Sequence, residues 1–300
     1  MLIIIIGWVL QSLLVLLAVA FFTLFERKVI GLFHLRLGPN KVGGLGLLQP
    51  LLDAFKLLSK QNIVNYHSNR FSFHLSPHIS LGISIILWLV APFSYSYNYT
   101  SISFVLFLCV RSSLVFGSLY RGWSSNSKYS LLGSLRSVAQ SISYEAVITT
   151  LSVAIIIYLY SYDFLRISLS ASLFIILFLP VWIFRVLAET HRAPFDFAER
   201  ESELVSGYNT EYSAGYFAFI FLSEYIVLIL SCLIISVIFL GWLVGYSVFL
   251  LGGFSMVFLY LFIWIRITFR RFRYDLLIIS AWKSYLPFSL GIFIVVCLFL

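Results

Sequence analysis

The chain has 300 residues, 61% of them hydrophobic and 11% charged, with a formal net charge of +8 and a mean hydropathy of +1.00. Soluble domains carry about 25% charged residues, so a water-soluble fold has too little interior to hide this much apolar side chain. The positive charge calls for no nucleic acid, because its distribution along the chain follows membrane topology.

A bilayer core takes about 20 apolar residues per helical span. The sequence offers eight such runs, roughly 2–25, 75–93, 102–119, 138–160, 169–188, 216–240, 248–267 and 286–300. Their lengths suit helices, not barrel strands of about ten residues. The expected fold is all-α: one integral membrane domain over residues 1–300 with about eight transmembrane helices, long inner-side loops and a short amphipathic surface helix. The positive-inside rule sets the orientation. Arg27, Lys28, Arg36, Lys41, Lys56, Lys60 and Arg70 follow the first run, Arg121, Lys128 and Arg136 the third, and Arg270, Arg271, Arg273 and Lys283 the seventh. Residues 94–101 and 241–247 hold no Lys or Arg. Both termini are therefore expected outside, with inner loops at 26–74, 120–137, 189–215 and 268–285. A basic inner rim of this kind also suits anionic lipid headgroups.

The first inner loop opens with Glu26 and Arg27, then carries a Gly-Pro-Asn turn signal at 38–40 and glycines at 43, 44 and 46. With no preceding strand or Walker lysine, these glycines do not form a phosphate cradle. In the segment PLLDAFKLLSK, Leu51, Leu52, Phe55 and Leu58 share one face, opposite Asp53, Lys56 and Lys60, which predicts an amphipathic helix along the membrane surface. Farther on, Asn98 begins an NYT triplet on the outer side, a motif common by chance.

Acids concentrate on the inner side. Of twelve Asp and Glu residues, six lie at 189–211: Glu189, Asp196, Glu199, Glu201, Glu203 and Glu211. Pro194 reads as a first-turn residue and Gly207 as a terminator. On the intervening helix Asp196, Glu199 and Glu203 share a face, and Arg192 is placed to pair with Asp196. Glu145 and Glu224 lie about two turns inside the fourth and sixth runs, where an ionisable side chain costs a few kcal/mol and is by default a functional hypothesis. Glu26 and Glu189 join the same layer, so only Asp163 among the acids falls in the outer half. Such a layer suggests a hydrated cavity opening inward, in which neighbouring carboxylates hold and pass protons. Cys109, Cys232 and Cys297 are isolated in apolar runs, and His34, His67, His74, His78 and His191 show no metal-ligand repeat, so no metal site is expected.

The runs ERKVIG, GPNKVG and LLQP, then GWSSNSKYSLLGSLRSVAQSISYE, then AETHRAPFDFAERESELVSGYNTEYSAGYFAFIFLSEY, and finally RFRYD with AWK, resemble the chain 1 family of NADH:ubiquinone oxidoreductase, over about residues 24 to 283. The resemblance implies a membrane subunit of respiratory complex I that meets the peripheral arm, with no complete active site of its own. Ubiquinone would be the substrate, while FMN and iron–sulfur clusters would sit on partner subunits. It further implies a quinone chamber bordered by Arg27, Arg36, Asp53, Arg192, Asp196, Glu199, Glu201, Arg266 and Arg273. A proton path would run through Glu26, Glu145, Glu189, Glu203, Glu211 and Glu224.

The chain departs from that family at several positions. His191 and Ala193 replace the usual Asn and Thr, Gln61 a frequent Glu, Arg270 a common Pro, and Arg200 a Gly between two acids. Arg111 and Arg185 stand where small hydroxyl residues are usual. Arg185 is spaced to pair with Glu189, whereas Arg111 has no partner evident in the sequence. With only two Met in the chain, these arginines fit a mitochondrial gene read under a different code, with Ser or Gly codons given as Arg and Met codons as Ile. No cleavable signal or transit segment is expected, which suits a mitochondrially encoded inner-membrane subunit, with a bacterial cytoplasmic-membrane homologue as the alternative. Two competing functions are a stand-alone ion or solute transporter, against which no internal repeat is evident, and the membrane anchor of a hydrogenase-type complex.

Overall fold

The computed structural model describes residues 2–91, 101–164, 166–167, 176, 178–196, 207–244 and 247–299. The described residues form helices α1 (Leu2–Phe33), α2 (Gln49–Ser59), α3 (Arg70–Leu89), α4 (Ser103–Ser112), α5 (Leu114–Ser124), α6 (Lys128–Leu159), α7 (Leu179–Glu189), α8 (Ala214–Val244), α9 (Val248–Thr268), α10 (Tyr274–Ser280) and α11 (Leu286–Phe299). A 3-10 turn spans Gly207–Asn209, and a π turn at Ala281–Tyr285 joins α10 to α11. The chain is a polytopic all-α membrane protein. Seven helical stretches among the described residues are long and apolar enough to span a bilayer. The fifth expected span is described mainly at its inner end, as α7; the NYT triplet lies outside the described residues.

Each described span extends beyond its apolar run on the side of the Lys- and Arg-rich loops. The third run continues through a break at Ser113 to Ser124, and the fourth begins at Lys128, not near 138. Only Ser125, Asn126 and Ser127 connect them, so most of the expected inner loop 120–137 is helix. Apolarity marks where lipid lies. Helices continue beyond it where small polar residues pack on one another: Ser124, Ser130, Ser134 and Ser137 are all buried. With hydrocarbon outside, association rests on close packing of small side chains. At the α3–α5 crossing, a Cβ on Gly117 would stand 3.2 Å from that of Ser80.

The helix α8 is central, packing on α1, α3, α7 and α9; α6 packs on α5, α7, α11 and the 3-10 turn. Val9, Leu10, Leu13 and Leu14 of α1 and Ile294 and Leu298 of α11 face outward, as a lipid-exposed surface requires. Two prolines show how the bundle accommodates broken ladders. Pro77 lacks the N–H that would reach the Phe73 carbonyl, and Ser76 Oγ donates to that carbonyl instead at 3.4 Å. Pro287 likewise cannot reach Lys283, and the π turn falls directly before it. The predicted surface helix is α2, with Leu51, Leu52, Phe55 and Leu58 exposed along it. The turn that precedes it uses its glycines for backbone shape. Gly46 has φ +76°, and a Cβ there would meet the Pro39 carbonyl.

Candidate functional site

Helices α4 and α7 bring three charges of the bundle together. Arg111 Nε and Nη2 take the two oxygens of Glu189, the latter at 2.5 Å, and Arg185 Nη2 reaches Oε2 at 2.5 Å. Both guanidiniums are buried, lying against Phe107 and Trp182, respectively. The Arg185–Glu189 pair is thus as the sequence spacing predicts. Arg111, for which the sequence shows no evident partner, has one; it lies 78 residues away along the chain, beyond any local pattern.

Across the same cavity, Glu224 on α8 accepts from Tyr208 Oη at 3.0 Å and faces Arg121 Nη1 at 3.6 Å. The Arg121 guanidinium lies over the Tyr208 ring at 4.5 Å, a cation–π contact. Glu145 on α6 completes the charged lining, with Ser80, Ser118, Ser141, Thr149, Ser223 and His191 among its polar neighbours. The cavity is roomy and polar enough to hold water. Glu145 stands 17 residues after Lys128, at mid-helix, and Glu224 ten after Ala214; both are deeper in their helices than in the apolar runs. Burial, then the nearby Arg121 charge, push the His191 imidazole down to about 4, so it is neutral at pH 7.

A second cluster surrounds Glu26 at the inner part of α1. Its carboxylate accepts from Tyr225 Oη at 2.7 Å and from Arg266, and faces Arg192 Nη1 at 3.9 Å. Arg192 also lies 4.3 Å from the centre of the Tyr225 ring. The expected Arg192–Asp196 pair is therefore replaced: Arg192 turns to Glu26 and Tyr225, and Asp196 faces Arg271 at 3.7 Å. The i,i+4 spacing fails here because residues 191–196 are not helical. Pro194, expected in a first helical turn, sits in a turn closed by Phe195 N–H donating to the Arg192 carbonyl at 2.8 Å.

The remaining candidates are spread over the side of the bundle that carries the Lys- and Arg-rich loops. Arg27 meets Asp53 at 2.6 Å, and Gln49 also donates to Asp53, at 3.1 Å. Arg273 pairs with its neighbour Asp275 at 3.0 Å, and both are exposed, as is Arg36. Glu211 accepts from Asn65, on a segment also pinned by Ile63 N–H to Ser213 Oγ at 3.0 Å. Glu199, Glu201, Glu203 and Arg200 lie outside the described residues, as does the acidic helix face expected there. The fold therefore unites Glu145, Glu189 and Glu224, and separately Glu26, Arg192 and Arg266. Sequence reasoning missed Arg121, Tyr208, Tyr225 and His191. Arg121 flanks an apolar run, a usable signal; the tyrosines carry none.

A helical bundle with carboxylate–arginine pairs buried among its helices defines a polytopic integral membrane protein. The NADH dehydrogenase family model matches residues 6–297. Among curated proteins, NADH-ubiquinone oxidoreductase chain 1 of Aedes aegypti is 45% identical over 294 residues, covering 95% of this chain and 92% of that one. The protein of the same name from Locusta migratoria is 45% identical over 300 residues, covering 96% and 92%. That of Heterololigo bleekeri is 44% identical over 313, covering 100% and 99%. The chain belongs to the NADH dehydrogenase family, as its motifs led us to expect.

Proposed function

We propose that this chain is a core membrane subunit of the proton-translocating NADH:ubiquinone oxidoreductase, complex I, in the mitochondrial inner membrane. Its inner face, the side of the Lys- and Arg-rich loops, meets the electron-carrying subunits and helps enclose the quinone headgroup. Electrons come from NADH through the FMN and iron–sulfur centres of those partners; this chain supplies charge, shape and protons. The observation that carries the reading is the cavity lined by Glu145, Glu189 and Glu224 together with Arg111, Arg121 and Arg185, where Glu189 and Glu224 are paired. An ionisable residue inside a membrane bundle is by default a functional hypothesis, and a buried ion pair is weak evidence for stability.

Reduction of a quinone to a quinol takes up two electrons and two protons. Any interval between charge and proton arrival places a net charge where the dielectric is low and its field is felt strongly. In this reading Arg27, Arg36, Asp53, Arg192, Asp196, Glu199, Glu201, Arg266 and Arg273 border the headgroup chamber. Carboxylates at Glu26, Glu145, Glu189, Glu203, Glu211 and Glu224 answer its charge by shifting protonation. The family match over nearly the whole chain supports the assignment to the complex.

A native gel of gently solubilised source membranes, stained for NADH dehydrogenase activity and probed for this chain, tests it. The chain is expected in a large active band whose quinone reductase activity is blocked by quinone-site inhibitors. Recovery alone, or in a small band without NADH activity, would favour an ion transporter.

A further inference from the structure

Helix α3 carries two histidines one turn apart. His74 and His78 follow Arg70, where α3 begins, by one turn and two, about 6 and 12 Å along the axis, and so fall on one face. The apolar run of this span starts near residue 75, which puts the pair at the border between headgroups and hydrocarbon. Tyr216 and Phe219, in the first turns of α8, pack against it. The Tyr216 ring centre is 5.3 Å from that of His74 and 6.1 Å from that of His78, and the Phe219 ring is 5.2 Å from that of His78. Spacing alone, with no third ligand in view, predicted no metal site here. The structure adds how the two rings are held.

Each ring is tied by its Nδ1. His78 Nδ1–H donates to the His74 carbonyl at 2.7 Å; a carbonyl only accepts, so the neutral His78 ring keeps its lone pair on Nε2. His74 Nδ1 stands 2.6 Å from Tyr216 Oη, whose oxygen can accept from the same tautomer. No described group hydrogen-bonds either Nε2, and His78 is exposed while His74 is half-buried. A structural role accounts for His74, which joins α3 to α8. It does not account for a second ring whose hydrogen bond goes to its own helix. Two imidazoles four residues apart on a helix, with Nδ1–H engaged and Nε2 free, are the arrangement that a borderline divalent cation takes up.

We propose that His74 and His78 bind such a cation, Zn²⁺ or Cu²⁺, through their Nε2 atoms, with Tyr216 as the positioning residue that orients His74. Among the described residues no third His, Cys, Asp or Glu joins them, so water completes the coordination and the ion exchanges with the medium. Arg70, one turn before His74, is exposed, and water and salt screen its repulsion of the cation. Bound metal clips one turn of α3 and holds His74 to α8. Neither histidine lines the charged cavity, so the site is separate from it.

Diethyl pyrocarbonate acylates the neutral imidazole nitrogen that a metal would occupy. Peptide mass spectrometry of chelator-treated source membranes, labelled with and without added Zn²⁺, therefore tests the unaltered protein. His74 and His78 are expected to react without zinc and to be protected together over one range of zinc concentration. His34 and His67, both exposed, should stay reactive throughout. Failure of either member of the pair to react without zinc, protection of one only, or equal protection of His34 and His67 overturns the proposal. His78→Gln should abolish the protection of His74; protection that survives it also overturns the proposal. Tyr216→Phe removes the orienting oxygen but neither ligand, and should raise the zinc concentration for half-protection by about 10- to 100-fold, the usual cost of losing a ligand's orienting partner. An unchanged value there removes the positioning role. Activity plays no part in this readout, so the assignment to complex I stands or falls separately.

Discussion

Glu26 accepts from Tyr225 and Arg266 and faces Arg192, so one carboxylate ties α1 to α8, α9 and the loop after α7. Glu26→Gln keeps a hydrogen-bond acceptor but leaves two cations without their anion. A loss of about 3 kcal/mol is expected, since breaking a buried pair strands the partner charge. Thermal melts of the solubilised complex check it, and Arg192→Ala should cost more than Arg266→Ala, whose side chain is 38% exposed. The Arg27–Asp53 pair differs, with 54% and 36% of the two side chains exposed. A double-mutant cycle there should return less than about 1 kcal/mol of coupling. His191 gives a pH signature. Its folded-state pKa lies near 4 against 6.5 for the free side chain, so the unfolded state binds the extra proton. Its contribution is present above pH 6.5 and is lost as pH falls toward about 4. Protection of the amides at residues 190–192, corrected for the intrinsic slowing of exchange at lower pH, should fall on acidification from pH 7 to 5, and His191→Gln should flatten that response.

At the scale of elements, α6 and the 3-10 turn touch backbone to backbone. A Cβ on Gly133 would lie 2.9 Å from Gly207 Cα and 3.0 Å from Tyr208 N. Gly133→Ala must therefore displace the turn that delivers Tyr208 to Glu224. Overpacking of this kind costs about 1–3 kcal/mol, and hydrogen exchange in residues 207–212 should rise while that of the core of α6 does not. The apolar runs located the described spans, because a bilayer imposes both a length and a helix on its residues. The face pattern of residues 51–58 likewise gave α2. The inward extensions of α5 and α6 were not legible, since they depend on serines packing across helices and not on any periodic signal. The helix expected from Pro194 failed at its start because residues 191–196 turn instead of coiling.

At the scale of the whole molecule, the inner-facing orientation predicts side-selective chemistry. Lys41, Lys56 and Lys60 are exposed. An amine reagent that cannot cross membranes should label them in inside-out vesicles and spare them in right-side-out ones; the opposite pattern would reverse the proposed topology. Composition, run length and the spacing of Lys and Arg determined by themselves that this is a helical membrane protein, because lipid leaves a chain few alternatives. The local pairing of Arg185 with Glu189 was legible too, as a one-turn spacing on a helix. The tertiary structure alone decided that Arg111 completes that pair, that Glu224 and Glu145 share its cavity, and that Arg192 answers Glu26 instead of Asp196. A charge buried from water is governed by whichever opposite charge the packing brings within a few ångströms, and packing joins residues that no local spacing relates.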